Sequence, residues 1–373
     1  MNVAVIASSA PSLVNFRGEL LKEMVRRGHR VYALAPSASP RVRDTESALR
    51  KFGVQFVAYS LSRRGLSPLE DFSSLLELER ILRALRVECI LSYTAKPVIY
   101  GSLAAHRAGI QEIYSMITGL GFAFSSDTFS ARIIRGISKT LYRRSLQYNR
   151  RVFFQNPDDL QLFVEANILQ SGEQGVLING SGVDLERFAI QPFPAEISFL
   201  LIARLIAEKG IREYVAAARR VKSKYPNIQF RLVGSFETGA SKISKQEIDR
   251  WTDEGVIEYL GTLPDVRPAL RNCSVFVLPT YYREGQPRTI LEAMATGRPI
   301  ITTDNPGSRE TVVNGLNGFL VKPRDVDDLY KAMVRFIENP KLIPRMGASS
   351  RTIAEEKYDV HRINQVILAF MGL

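Results

Sequence analysis

Short runs of aliphatic and β-branched residues alternate along this chain with longer stretches whose apolar positions return every three or four residues. Residues 3–7, 31–34, 54–58, 89–92, 113–117 and 152–155 read as strands, and 16–27, 69–85 and 98–108 carry the helical period. The alternation then restarts with strand-like runs at 197–203, 228–233, 256–260, 275–278, 299–302 and 319–321. Strands alternating with helices predict parallel sheets with crossover connections, and two such series predict two doubly wound, Rossmann-like α/β domains. The first is expected over 1–180 and the second over 190–357, joined by a connector at 178–188 and a polar, proline-bearing stretch to Pro194. Gly180 and Gly182 make that connector turn-rich. The last helix, Val360–Met371, has no strand after it, so the segment 358–373 is expected to cross back to the first domain. Sites in such folds collect at the carboxyl ends of strands, which predicts a ligand cleft between two facing domains and a hinge motion.

Composition narrows the partners. At 373 residues the chain exceeds one comfortable hydrophobic core. Fifty Lys and Arg against 38 Asp and Glu leave a net charge of +12, and the pI is near 9.7. Such a balance attracts nucleic acid, anionic membrane surfaces or phosphorylated substrates. No zinc finger, helix-turn-helix or aromatic RNP-like strand is present, which argues against nucleic acid. Cys89 and Cys273 lie far apart in apolar surroundings, the pattern of reduced, packed thiols in a cytoplasmic protein. No apolar run reaches 18 residues, and the opening MNVAVIASSAPS lacks a basic leader, so any membrane contact is expected to be peripheral.

The candidate chemistry lies mostly in the second half. EGQPRTILE places Glu284 in a Gly/Pro loop and Glu292 within a short apolar helix, where an ionised carboxylate needs hydrogen-bond partners. Vicinal hydroxyls of a ribose would supply them. Upstream, RLIAEKG puts Arg204 and Lys209 around a strand-to-helix turn, a geometry suited to a diphosphate. Gly234 follows a strand directly, where backbone can approach a phosphate or ribose. The surroundings of the glutamate pair, TYYREGQPRTILEAMATGRPIITTDNPGSRET, and the Arg-x4-Lys segment resemble the family 4, retaining glycosyltransferases of GT-B fold. That resemblance implies a UDP-sugar donor. In it Glu284 contacts the transferred sugar, Glu292 the ribose, and Arg204 with Lys209 the diphosphate. Leu263 and Val266, in the GTLPDV segment, would run past the base, and Gly285, Gln286, Pro287 and Arg288 would present backbone N–H groups to sugar and phosphate. No cofactor and no essential metal are expected, because Arg204, Lys209 and helix dipoles would neutralise the leaving UDP.

In the first domain, SYTAKPVIYGSLAAHRAG and IYSMITGLGFAF resemble the subset of that family that glycosylates polyprenyl-diphosphate-linked saccharides, N-acetylgalactosaminyltransferases among them. Lys96, ahead of a helix expected to open at Pro97, is a candidate contact for acceptor phosphate, with Thr118 and Gly119 as further acceptor-binding candidates; Arg17, near the start of the first helix, is a candidate contact for acceptor or donor phosphate, with a surface salt bridge as the alternative. Thr118 and Gly119 stand after a strand where many relatives carry a histidine, so a simple histidine role is in doubt. The three histidines, His29, His106 and His361, suggest no catalytic group. In FSARIIRGISKTLYRRSL, residues 129–146, Arg132, Arg135, Lys139 and Arg143 share one helical face and Ile133, Ile137 and Leu141 another. This pattern suits an interfacial helix at an anionic membrane, and equally a helix burying its apolar stripe in the core. The reading is a peripheral enzyme on the inner face of the cell membrane, moving a hexose or N-acetylhexosamine from a UDP-sugar to a lipid-linked saccharide in surface glycan assembly. A UDP-sugar epimerase or hydrolase on the same fold, and a non-catalytic nucleotide-sugar-binding scaffold, remain open alternatives.

Overall fold

A computed structural model of the chain describes residues 1–38, 41–61, 67–121, 129–239 and 241–373, with backbone alone at 129–131. The end of the GLGFAF segment, residues 122–124, lies outside the described residues. The chain divides into two units, Met1–Ser181 with Val360–Leu373, and Gly182–Asp359.

The first unit is built on a seven-stranded sheet in which every pairing is parallel. Its strands are β1 (Asn2–Ile6), β2 (Arg30–Pro36), β3 (Gln55–Tyr59), β4 (Cys89–Tyr93), β5 (Glu112–Ile117), β6 (Arg151–Phe154) and β7 (Gly175–Leu177). The order β3-β2-β1-β4-β5-β6-β7 reverses direction between β1 and β4, the point where doubly wound sheets open a crevice. Strand β7 has no counterpart in the hydrophobic pattern, because three residues at a sheet edge carry too little signal. Helix Val42–Lys51 is also unanticipated: its sequence is strongly polar and it buries only Thr45 and Leu49.

Two helices depart from expectation. The first, Ala10–Arg26, begins ahead of residue 16, with Pro11 in its opening turn, where a missing N–H costs nothing. The expected helix at 98–108 is a π-helical turn, Pro97–Gly101, followed by a short α-helix, Ser102–Arg107. The wider turn coincides with close packing on β4, for a Cβ at Gly101 would lie 2.6 Å from Ser92 Oγ. The terminal helix Val360–Met371 packs on helix Ala10–Arg26, and its Ile363, Ile367, Leu368 and Met371 join one buried core with Leu13, Leu20, Leu21 and Met24.

The second unit holds a six-stranded sheet, again parallel throughout. Its strands are β8 (Ser198–Ile202), β9 (Gln229–Val233), β10 (Glu258–Tyr259), β11 (Val275–Leu278), β12 (Ile300–Thr303) and β13 (Gly318–Val321), ordered β10-β9-β8-β11-β12-β13. Strand β10 is shorter than the pattern suggests because the Val256 and Ile257 N–H groups both turn back to the Trp251 carbonyl. Cys89 and Cys273 are buried free thiols, one per unit, and burial pushes both up to about 12. Among the described residues no helix is long and apolar enough to cross a membrane.

Candidate active site

The second unit brings its predicted charged residues together through a tight turn after β8. Arg204 follows the strand, residues Ala207–Lys209 form a single 3-10 turn, and the helix proper, Ile211–Lys224, begins only after Gly210. Gly210 has φ +73°, and a Cβ on it would meet the Pro279 carbonyl oxygen at 2.1 Å. Any other residue would push this turn away from the loop that follows β11. Contact is sealed by the Glu208 carbonyl, which accepts hydrogen bonds from the N–H groups of Tyr281 (2.8 Å) and Tyr282 (3.1 Å) and from Thr280 Oγ1 (3.1 Å). The result is that Lys209 Nζ lies 2.5 Å from Glu284 Oε1, while Thr280 Oγ1 lies 3.2 Å from the same oxygen. Lys209 is buried, and burial pulls its ammonium below the usual lysine range; Glu284 opposes that shift and Arg204 adds to it.

Glu284 is fixed from the other side as well. A Cβ on Gly307, which has φ +85°, would fall 1.5 Å from the Gly285 carbonyl oxygen, so only glycine lets the 305–307 turn lie against this loop. Asn305 Nδ2 donates to the Tyr282 carbonyl (2.9 Å), and Thr303 Oγ1 to that of Thr280. Helix Arg288–Ala295 then starts immediately after Pro287. Glu292 is buried on it, and Arg288, one turn earlier, donates from Nε to Glu292 Oε1 at 2.9 Å. Burial raises the Glu292 carboxyl above its ordinary range, with Arg288 and then Arg187 opposing and Asp265 adding to the rise. Glutamates that are eight positions apart in sequence are thus each matched to a cation, Lys209 and Arg288.

Other predicted donor residues have different surroundings. Gly234 donates its N–H to the Gly261 carbonyl (2.9 Å), and its own carbonyl accepts from the Tyr259 hydroxyl (2.7 Å). A Cβ there would lie 1.9 Å from the Ala203 carbonyl oxygen, so its small size serves the packing of the β8 and β9 ends. Leu263 and Val266 pack their side chains against the core of the unit. Gly285, Gln286 and Pro287 are buried in the loop between the two glutamates. A cleft of about 510 Å³ lined by Arg187, Asp265, Arg267 and Arg271 lies in the same unit, and its Arg187 and Asp265 are the two charges that act on Glu292 from outside its own helix.

In the first unit the predicted cations are already engaged. Lys96 Nζ sits 2.6 Å from Asp71 Oδ1, and the Tyr100 hydroxyl donates to Asp71 Oδ2 at 3.1 Å. Burial and the Asp71 charge push the Tyr100 phenol above its normal range. Arg17 is buried: Nη2 lies 2.7 Å from Met116 Sδ and the guanidinium stands over the Tyr93 ring, 5.2 Å from its centroid. Thr118 and Gly119 follow β5, with Gly119 at φ +111°. At the reversal of strand order, Tyr93 OH meets Ser12 Oγ (2.8 Å), and Thr94, a β-branched residue at φ +68°, donates from Oγ1 to Ser8 Oγ (2.9 Å). Sequence reasoning missed Asp71, Tyr93, Thr94, Thr280 and Tyr282. Only a strand-end polar cluster after 89–92 could have hinted at Tyr93 and Thr94. Among the described residues no group of three His, Cys, Asp or Glu is placed to hold a metal ion.

The arrangement of the second unit can hold a diphosphate between Arg204 and Lys209 and present two carboxylates to hydroxyl groups. A profile described as "Glycosyl transferases group 1" matches residues 196–339, and one described as "Glycosyl transferase 4-like domain" matches 14–180. The chain is 26% identical over 360 residues, 92% of its length and 91% of the relative's, to N,N'-diacetylbacillosaminyl-diphospho-undecaprenol alpha-1,3-N-acetylgalactosaminyltransferase of Campylobacter jejuni. It is 26% identical over 302 residues, 77% of this chain and 76% of the relative, to UDP-Gal:alpha-D-GlcNAc-diphosphoundecaprenol alpha-1,3-galactosyltransferase of Escherichia coli. Its fold resembles that of Anabaena HepE solved with UDP (TM-score 0.78, 18% identity, all of both chains) and of sucrose-phosphate synthase from Thermosynechococcus elongatus (TM-score 0.80, 17% identity, 98% of this chain and 97% of that one). With family profiles over both units and a matching two-domain fold, the chain belongs to the group 1, family 4-like glycosyltransferases of GT-B architecture.

Proposed function

We propose that this glycosyltransferase moves a hexose or N-acetylhexosamine from a UDP-sugar to a saccharide carried on a lipid diphosphate, with retention of anomeric configuration and without an essential metal. The observation that carries the donor reading is the Lys209–Glu284 contact beside Arg204, with Glu292 buried on the next helix. In this reading Arg204 and Lys209 take up the charge of the departing UDP, Glu284 holds the transferred sugar and Glu292 receives the ribose hydroxyls. The acceptor hydroxyl attacks from the face the diphosphate leaves. The lipid-linked acceptor is supported by the names of the Campylobacter jejuni and Escherichia coli relatives. Before donor arrival Glu284 is neutralised by Lys209, so binding of the diphosphate exchanges one anion for another at a buried ammonium.

The same proposal places the protein at the inner face of an anionic membrane. Ile133 and Ile137 are exposed at 48% and 41%, so the apolar stripe of helix Phe129–Leu146 is not buried in the core at that end; among its described side chains the helix buries Tyr142, Ser145 and Leu146. Arg132, Arg143 and Arg144 are exposed on that helix, and Arg143 donates to the Ala166 and Asn167 carbonyls. Leu69 and Phe72, in the opening turns of helix Pro68–Ala84, are likewise exposed. Exposed apolar residues beside basic ones suit a bilayer interface.

A radiolabel transfer assay tests the whole: a panel of nucleotide sugars with lipid-linked saccharides from bacterial membranes, a lipid-free control and a chelator arm. Label entering the organic phase from one UDP-sugar, unaffected by chelator, is the expected result. Label released as free sugar without acceptor would replace the proposal with a hydrolase. Product NMR of the new anomeric centre reads retention directly.

A further inference from the structure

Arg204 and Lys209 would serve one diphosphate, yet the structure holds them by different means. Lys209 has a carboxylate at 2.5 Å, and its turn is bolted to the loop after β11. Arg204 is exposed, and among the described residues its guanidinium has no carboxylate and no hydrogen-bond acceptor. Its one aromatic contact is Tyr282, whose ring centroid lies 5.8 Å from Arg204 Cζ and also 5.8 Å from Lys209 Nζ. Two like charges converging on one ring repel each other, and Arg204 is among the causes that lower Lys209. The negative face of an aromatic ring offsets part of that repulsion while no diphosphate is present.

Tyr282 itself is held at both ends. Its N–H lies 3.1 Å from the Glu208 carbonyl oxygen and 3.2 Å from Thr280 Oγ1, and its carbonyl accepts from Asn305 Nδ2. The Tyr282 backbone therefore belongs to the same junction as Lys209 and Glu284, and the ring it carries stands between the Arg204 and Lys209 cations. A ring on an anchored backbone, beside a guanidinium with no other partner among the described residues, restricts where that guanidinium can go. We infer that Tyr282 is a positioning residue of the donor site: its ring keeps the Arg204 guanidinium beside Lys209, preorganised for the two-cation grip on a nucleoside diphosphate. This rests on the donor reading above and goes beyond it, since the ring acts through Arg204 and makes no contact with the nucleotide.

The experiment compares UDP and uridine binding by calorimetry in the wild type and in Tyr282→Leu, Tyr282→Phe, Arg204→Ala and the Arg204→Ala/Tyr282→Leu double variant. Uridine lacks the diphosphate, so its affinity also reports that the unit is folded. Tyr282→Leu is expected to weaken UDP by about tenfold, equivalent to about 1.4 kcal/mol, and to leave uridine unchanged. Tyr282→Phe keeps the ring and is expected to bind UDP like the wild type. In the double variant the loss is expected to equal that of Arg204→Ala alone, because both changes remove one contribution. Additive losses, a Tyr282→Phe variant as weak as Tyr282→Leu, or a fall in uridine affinity would each overturn the positioning role. A wild type that binds neither UDP nor uridine overturns the donor reading first, and the role of Tyr282 with it; that result is visible before any variant is made.

Discussion

The carboxyl ends of the two sheets both carry charged side chains but use them differently. In the second unit, Lys209 and Arg288 are paired with Glu284 and Glu292, the carboxylates that the donor reading places on the ligand. In the first unit, Lys96 is paired with Asp71, a helix residue, and Arg17 lies against a thioether and a phenol ring. On the donor reading, the second unit's own carboxylates stand in for a ligand's charges until it arrives. The first ties its cations into the scaffold, so an incoming phosphate must compete with Asp71 for Lys96. A cation near a strand end is thus no measure of free positive charge; its partner decides.

The sharpest test of that contrast is Lys209→Met. Removing one member of a buried pair leaves the other charge uncompensated, which costs about 3–5 kcal/mol in typical cases. Loss of the ammonium from the leaving-group site is expected to lower turnover by roughly a hundredfold or more. Adding Glu284→Gln should restore much of the thermal stability and none of the turnover. If the double variant recovers turnover, Lys209 serves only to neutralise Glu284.

Next in size is Glu292→Ala, expected to weaken UDP binding by roughly 10- to 100-fold, the range for loss of a charge-assisted hydrogen bond together with an orphaned Arg288. Unchanged UDP affinity in calorimetry would remove Glu292 from the nucleotide site.

A pH series sharpens the same point. Burial raises the Glu292 carboxyl above its ordinary value, so its charged form is lost, as pH falls, sooner than that of an exposed glutamate. UDP affinity should therefore decline on the acid side starting above the usual carboxylate range, and Glu292→Gln should flatten that limb. The stability sign is opposite: because the folded state binds this proton more tightly than the unfolded chain, the Glu292 contribution to stability grows as pH falls through the raised value. Acid destabilisation of the second unit, if seen, must come from other carboxylates.

The smallest expected effect is that of Asp71→Asn in the first unit. Lys96 keeps partial access to solvent, with 16% of its side chain exposed, so loss of the pair should lower the melting temperature by a few degrees. UDP affinity is expected to stay at the wild-type value. A gain in acceptor affinity in the transfer assay would show Lys96 freed for phosphate, and a fall in UDP affinity would erase the distinction between the two units.

Legibility in the sequence followed the same divide. Glu284 and Glu292 share one loop and helix, Arg204 and Lys209 one turn, so the residue types at their spacing already described the chemistry. The partners of the first-unit cations lie 25 and 99 positions away, Asp71 from Lys96 and Met116 from Arg17, and no local pattern links them. Sequence also placed twelve of the thirteen strands among the described residues within about two residues, since buried parallel strands are continuous apolar runs. It overextended β10, missed β7 and read a π turn as α-helix, because edge pairing and the fit of Gly101 against Ser92 are set by neighbours distant in the chain. Two doubly wound sheets, the spacing of two carboxylates and two cations in the second unit, and a basic net charge were therefore determined by the sequence alone. Which cation meets which carboxylate, that Gly210 and Gly307 are the close-approach points that assemble the loop, and that Tyr282 stands beside Arg204 were decided only by tertiary structure. Hydrophobic periodicity and short-range spacing act within one element, whereas ion pairs, ring contacts and steric clearance depend on what the fold carries in from elsewhere.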